Sequence, residues 1–273
     1  MNIWEIVKDS LRYPLSDWKT ILMLGIITVI SGITSIAVSL DTTNIYLMSI
    51  LVVIGFLVGF LVNGYMFRIV KSSLDGKSGL PEFNNWIDMG TDGLKVFIAF
   101  IVYLIPVILL ALIFVPILFD PTSALTFENI GLTPLDLLIH SLNSAFIIGI
   151  FSFIGILDYL PLVIPEGIFA FIIGALYLFI IIPMLLVALA NMAYYEGELK
   201  SAFRFSEILD EIRSIGKFNL IKWYLTTILL FLILFTIINT FIGYIFSLVN
   251  LSVVGWILIS LIISPYFYMY FAR

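Results

Sequence analysis

Cysteine is missing from this chain of 273 residues, and histidine occurs once. The first absence excludes disulfides, thiol nucleophiles and thiolate metal sites. The second leaves His140 with only Asp136, one helical turn earlier, at metal-ligand spacing, and two ligands do not make a metal site. Charge is scarce as well: 11% of residues are charged, against roughly 25% in an average soluble domain. A formal net charge of -5 leaves no basic footprint for nucleic acid. What is present instead is apolar, with 62% hydrophobic residues, among them 24 Phe, 13 Tyr and 5 Trp, and a mean hydropathy of +1.18. A soluble fold of this size would expose contiguous apolar patches and aggregate, whereas a bilayer core about 30 Å thick accepts them. The expectation is an all-α integral membrane protein with no enzyme active site and no cofactor.

Uncharged stretches long enough for a helix of about 20 residues fall at 20–40, 45–67, 96–119, 137–157, 167–195 and 223–272. The last is long enough for two spans that turn at Asn250. Lys and Arg gather on the cytoplasmic side of short loops, so their positions sort these stretches. Lys8, Arg12 and Lys19 precede the first stretch, Arg68, Lys71, Lys77 and Lys95 bracket the loop after the second, Lys200, Arg204, Arg213, Lys217 and Lys222 lie between Tyr195 and Trp223, and Arg273 comes last. The other loops hold Asp41, Asp120, Glu128, Asp136, Asp158 and Glu166, with no base.

Two full crossings between Asp120 and Lys200 would carry the third basic cluster outside. The charge pattern therefore predicts six transmembrane helices, at about 20–40, 45–67, 96–119, 167–195, 223–249 and 251–272, in a single polytopic domain of the cell membrane with both termini cytoplasmic. Residues 134–157 become an outer re-entrant or interfacial helix, which Thr133-Pro134 would start as N-cap and first helical residue. The first apolar run begins at Thr20 and is too long for a cleavable signal, so it is expected to stay as an anchor.

Two amphipathic helices are expected on the inner face. Over residues 2–12, Ile3, Val7 and Leu11 recur at helical spacing. Over 200–217, Phe205, Ile208, Leu209, Ile212 and Ile215 form an apolar stripe opposite Arg204, Glu207, Asp210, Glu211 and Lys217. At membrane depth the polar groups are amides: Asn63, Asn191 and Asn239, candidates for contact with a solute or for bonding between helices. Pro106, Pro116, Pro183 and Pro265 interrupt three spans and are expected to kink them. Gly55 and Gly59, with Gly64 a turn later, present a small-residue face in the second span.

Several segments carry a resemblance. Asn63-Gly64-Tyr65 with Arg68, Leu80-Pro81 with Phe83 and Trp86, and Asp92-Gly93-Leu94-Lys95 resemble the signature of an uncharacterised, mainly archaeal membrane family known as domain of unknown function 4013. Leu11-Arg12-Tyr13-Pro14 with Asp17-Trp18, and Gly197 followed by Ala202-Phe203, are similar to its flanking segments, so most of the chain is covered. Asn84-Asn85 stands where relatives are often acidic. The resemblance implies a polytopic archaeal membrane protein and brings no activity, ligand or catalytic residue with it.

Function follows from where charge and amphipathicity concentrate. The first expectation is a non-catalytic membrane module that organises lipids or partner proteins, or a second copy of itself, at the inner face. The contacts would be Arg68, Lys71, Lys77, Trp86, Lys200, Arg204, Arg213, Lys217 and Lys222. The alternative is permease-like passage of a small neutral or amphipathic solute along Asn63, Asn191 and Asn239. A lipid-acting enzyme using Asp158 and Glu166 ranks third. No metal and no nucleic acid are expected.

Overall fold

A computed structural model describes residues 3–39, 44–118, 174–249 and 251–273, which are almost wholly helical, with no strand among them. Helix α1, Ile3–Arg12, buries Val7 and leaves its polar face exposed. A 3-10 turn over Tyr13–Ser16 follows, and then Asp17 restarts the chain. Its carboxylate accepts the Lys19 backbone N–H at 3.0 Å and the Thr20 hydroxyl at 2.5 Å, which satisfies donors that open helix α2, Trp18–Ser31. The segments Trp4–Ser16 and Trp18–Ser31 are bent by 84°, so α1 lies across the end of α2, as a surface helix would.

Gly32 ends α2, and helix α3, Ile33–Ser39, follows it. The stretch expected as one span is thus broken near its middle. A Cβ at Gly32 would sit 3.0 Å from the ring of Trp256, so the indole packs against bare backbone at the break.

Helix α4, Ile45–Leu74, is capped by the Asn44 side chain, which accepts from Tyr46 N and Leu47 N. Helix α5, Trp86–Leu118, begins well before residue 96, where the apolar run starts. Asp88 in its first turn suits the positive end of the helix dipole, and Lys95 reaches Asp92 one turn back at 3.1 Å. Asp92-Gly93-Leu94-Lys95 is therefore helix rather than approach loop.

The remaining helices are α6, Ile182–Tyr194, α7, Phe205–Ile215, α8, Lys217–Leu248, α9, Ser252–Leu258, and α10, Ser264–Ala272. Pro183 and Pro265 each sit just inside a helix that a π-helical turn precedes, Tyr177–Ile181 and Ile259–Ile263. A proline lacks an N–H and crowds the preceding turn, and a widened turn absorbs both faults. The Tyr224 hydroxyl donates to Leu178 O at 2.7 Å and so occupies a carbonyl of the first π turn.

Among the described residues, five helices are long and apolar enough to cross a membrane, Tyr46–Leu74, Trp86–Leu109, Gly174–Tyr194, Lys217–Leu248 and Ser252–Ala272, or six if the bent pair Trp4–Ser16 and Trp18–Ser31 counts as one span. On α8, Ile233, Ile237, Phe241, Tyr244 and Leu248 form one stripe that is 54–65% exposed. In water such a stripe would be unfavourable; against acyl chains it costs nothing, which marks the chain as membrane-embedded.

Backbones touch where side chains are absent. A Cβ on Gly64 would overlap the carbonyl oxygen of Met89, and one on Gly93 would overlap that of Phe60, so α4 and α5 meet backbone to backbone. Gly25 makes the same approach to Leu261 O in the second π turn. Gly59, expected in the contact face, has nothing within 4 Å of its Cβ position among the described residues, because the α4–α5 crossing falls at Gly64.

The loops and chain ends gather at one end of the bundle. Arg273 binds Asp9 at 2.9 Å and Lys77 O at 2.9 Å, and its guanidinium lies over the Tyr13 ring, 4.7 Å from the centroid. Lys71 pairs with Glu196, tying the loop after α4 to the loop after α6. The helix expected at 134–157, with Asp136 and His140, and the acids Asp158 and Glu166 lie outside the described residues.

Candidate functional site

At this charged end the α7 helix stands off the bundle and encloses a groove. Ile208, fully buried, anchors α7, with Ile212 and Ile215 beside it. That leaves Glu207, Asp210, Glu211 and Ser214, spaced three and four residues apart, to form one wall. Opposite stand Leu186, Val187, Ala190 and Asn191 of α6, Leu220 and Trp223 of α8, Ile6 of α1 and Leu74 of α4, with Tyr194 and Tyr195 at the mouth. The groove has a volume of about 1010 Å³, the upper end of the range for small-molecule pockets. Its ionisable wall is acidic only, among the described residues.

Asn191 is fixed in that wall, since its amide donates to Ser201 O at 2.9 Å while the Tyr103 hydroxyl holds Ala202 O at 2.9 Å. A 3-10 turn over Leu199–Phe203 is thereby pinned to α5 and α6, and it carries the chain into α7. Arg204, at the start of α7, binds Glu198 at 3.2 Å and Glu207 at 3.4 Å and covers the Tyr195 ring at 4.5 Å. It is thus held by this chain's own acids and ring.

One turn deeper along α4 and α6 lies a smaller cavity of about 60 Å³, which shares Leu186 with the groove. Asn63 lines it, 8% exposed, and its Oδ1 is buried with no hydrogen-bond partner among the described residues. An unmade bond of this kind costs about 1–3 kcal/mol. The other two amides differ: Asn191 bonds a loop carbonyl, and Asn239 donates to Phe235 O of its own helix at 2.8 Å and lines neither space.

The basic candidates divide. Arg68 donates to Asn84 O at 2.6 Å and Asn85 O at 2.9 Å, Lys71 pairs with Glu196, Lys77 with Asp75 at 2.8 Å, and Arg213 with Asp210 at 2.8 Å. Lys77 holds the Asp75 carboxyl below the ordinary carboxylate value, and Asp75 in turn raises the Lys77 ammonium. Lys200, Lys217 and Lys222 make no ion pair among the described residues. Trp86 is half-exposed and leans on Phe83 at 5.8 Å.

The segments that carry the resemblance assemble into one node. Tyr65 stacks on Phe83 at 4.1 Å and donates to Pro81 O at 2.9 Å; Arg68 clamps Asn84 and Asn85, the latter at φ 47°; Gly64 meets Gly93. Gly197, at φ 84°, lies against Asp92, Lys95 and Phe67, where positive φ favours glycine. Asn84 and Asn85 serve here through their backbone carbonyls, so an acid at either position would keep the Arg68 contact. The groove itself was not legible in the sequence, because α7's acidic face reads there as a solvated face and only the packing of Ile208 turns it towards α6.

No curated protein and no solved structure matches this chain. Residues 47–246, well over half of its length, match the family model described as Protein of unknown function (DUF4013), and the chain belongs to that family.

Proposed function

We propose that this is a non-catalytic membrane module, crossing the bilayer six times with its charged end in the cytoplasm, that takes one amphipathic molecule into the groove between α6 and α7. The observation that carries this reading is the groove itself: about 1010 Å³, apolar on the α6 and α8 side and acidic on the α7 side. An apolar body would lie against Leu186, Val187 and Trp223, and a neutral or cationic end would face Glu211, the wall acid that makes no ion pair among the described residues. An anionic lipid headgroup would meet repulsion there.

The test uses two ions of one shape and opposite charge, tetraphenylphosphonium and tetraphenylborate, with the full chain in lipid nanodiscs. Saturable binding of the cation, reduced about two- to fivefold by Glu211→Gln, fits an exposed carboxylate worth about 0.5–1 kcal/mol. Narrowing the groove with Ala190→Trp should weaken it further. Equal saturable binding of both ions, or cation binding unchanged by both Glu211→Gln and Ala190→Trp, refutes the reading.

A second reading, permease-like passage of a small neutral solute, is favoured by the Asn63 cavity beneath the groove, with Leu186 between the two.

A further inference from the structure

We infer that the Asn63 cavity is a binding site for a small uncharged molecule with an N–H or O–H donor at one end and an apolar body, the size of a short primary amide or alcohol. The inference rests on the second reading above, in that both take the Asn63 cavity as a place for a small solute.

Three features define the ligand. The Asn63 Oδ1 is buried and accepts no hydrogen bond among the described residues, so the molecule it suits is a donor. The rest of the lining, including Met66, Phe67, Val96, Leu186 and Phe271, is apolar. A water molecule needs two to four polar partners to settle in a cavity, and a single amide does not supply them. A cation needs several oxygen ligands and finds one side-chain carbonyl. A molecule that carries its own apolar surface satisfies both the amide and the walls. Size agrees: at about 10–15 Å³ per water-sized group, about 60 Å³ admits about four to six such groups, and acetamide, with its two carbons, oxygen and nitrogen, falls at the lower end.

The site is preformed. Asn63 precedes Gly64, where α4 lies backbone to backbone on α5, so the backbone that carries the amide is held in place by the packed helix pair. Leu186, which borders both spaces, is the one side chain common to them among the described residues. A turn of its side chain would join groove and cavity.

Acetamide is the probe and acetone its isosteric control, which lacks the donor. With the full chain in nanodiscs, equilibrium dialysis of labelled acetamide should show saturable binding of one molecule per chain, at least about fivefold tighter than acetone. Asn63→Leu should weaken it at least about tenfold, and Asn239→Leu should leave it unchanged. Leu186→Phe, which fills the partition and spares the amide, should weaken it equally and decides the matter if Asn63→Leu does not fold. Absence of saturable acetamide binding in the wild type, meaning an ordered water only, overturns the inference, as does binding that persists in both variants or acetone binding as tightly. Tetraphenylphosphonium binding retained in Asn63→Leu shows that such a failure belongs to the cavity and not to the groove.

Discussion

Gly64 and Gly93 face each other across the α4–α5 crossing, and a Cβ added to Gly93 would lie 2.9 Å from Gly64 N, where real Cβ atoms are essentially never found. Helices in lipid gain nothing from hiding apolar surface from each other, so close backbone approach is a main source of their affinity. Gly64→Ala or Gly93→Ala forces α4 and α5 apart and should destabilise by about 1–3 kcal/mol, the scale of overpacking. Gly59→Ala, with open space at its Cβ position, should be neutral or slightly stabilising. Unfolding midpoints of the three variants in one detergent check this; equal effects at Gly59 and Gly64 would contradict it.

Arg68 is a structural clamp. Its guanidinium donates to Asn84 O and Asn85 O and closes the loop from Asp75 to Asn85 onto α4. Arg68→Lys keeps the charge but loses the fork geometry. The expected result is faster limited proteolysis within 75–85 with little change in the global unfolding midpoint, since the contact is exposed.

Asp17 makes a pH-dependent start to α2. The Thr20 hydroxyl, with lesser help from the Lys19 and Thr20 backbone N–H groups and the Lys19 charge, holds its carboxyl below the ordinary 3.8. A carboxylate depressed in the folded state contributes its stabilisation above the unfolded value and loses it as pH falls through the folded one. Asp17→Ala should cost about 1 kcal/mol at neutral pH. Asp17→Asn should keep most of the cap and remove this site's acid sensitivity. Thermal midpoints between pH 7 and pH 3 separate the three cases.

Much of the fold was legible in apolar length alone, because a bilayer demands uninterrupted runs, and α4, α5, α6, α8 and the C-terminal pair sit where those runs lie. The misread boundaries have a shared cause. Asp88, Asp92 and Lys95 are hydrophilic, so a hydropathy reading stops at Val96, yet they belong to a helix that continues out to Trp86. Gly32 reads like any glycine in an apolar run; the ring packed against it there belongs to Trp256, more than two hundred residues away in sequence. Asn63, Asn191 and Asn239 are alike as letters, and their different fates follow from what each helix packs against: a loop carbonyl, its own turn, or an empty space. The charged end shows the same limit. Lys71 and Arg204 are candidate lipid or partner contacts by their charge, while folding gives each an acid on a nearby turn or loop.

The most direct measurement is sidedness. The chain has no cysteine, so single-cysteine variants label at one place only. Asp75→Cys and Glu211→Cys, at the charged end, and Glu128→Cys, in an acid-only loop, would be treated in intact cells with a membrane-impermeant maleimide. The prediction is labelling of Glu128→Cys from outside, and labelling of Asp75→Cys and Glu211→Cys only after permeabilisation. Labelling of either charged-end variant in intact cells would contradict the cytoplasmic groove.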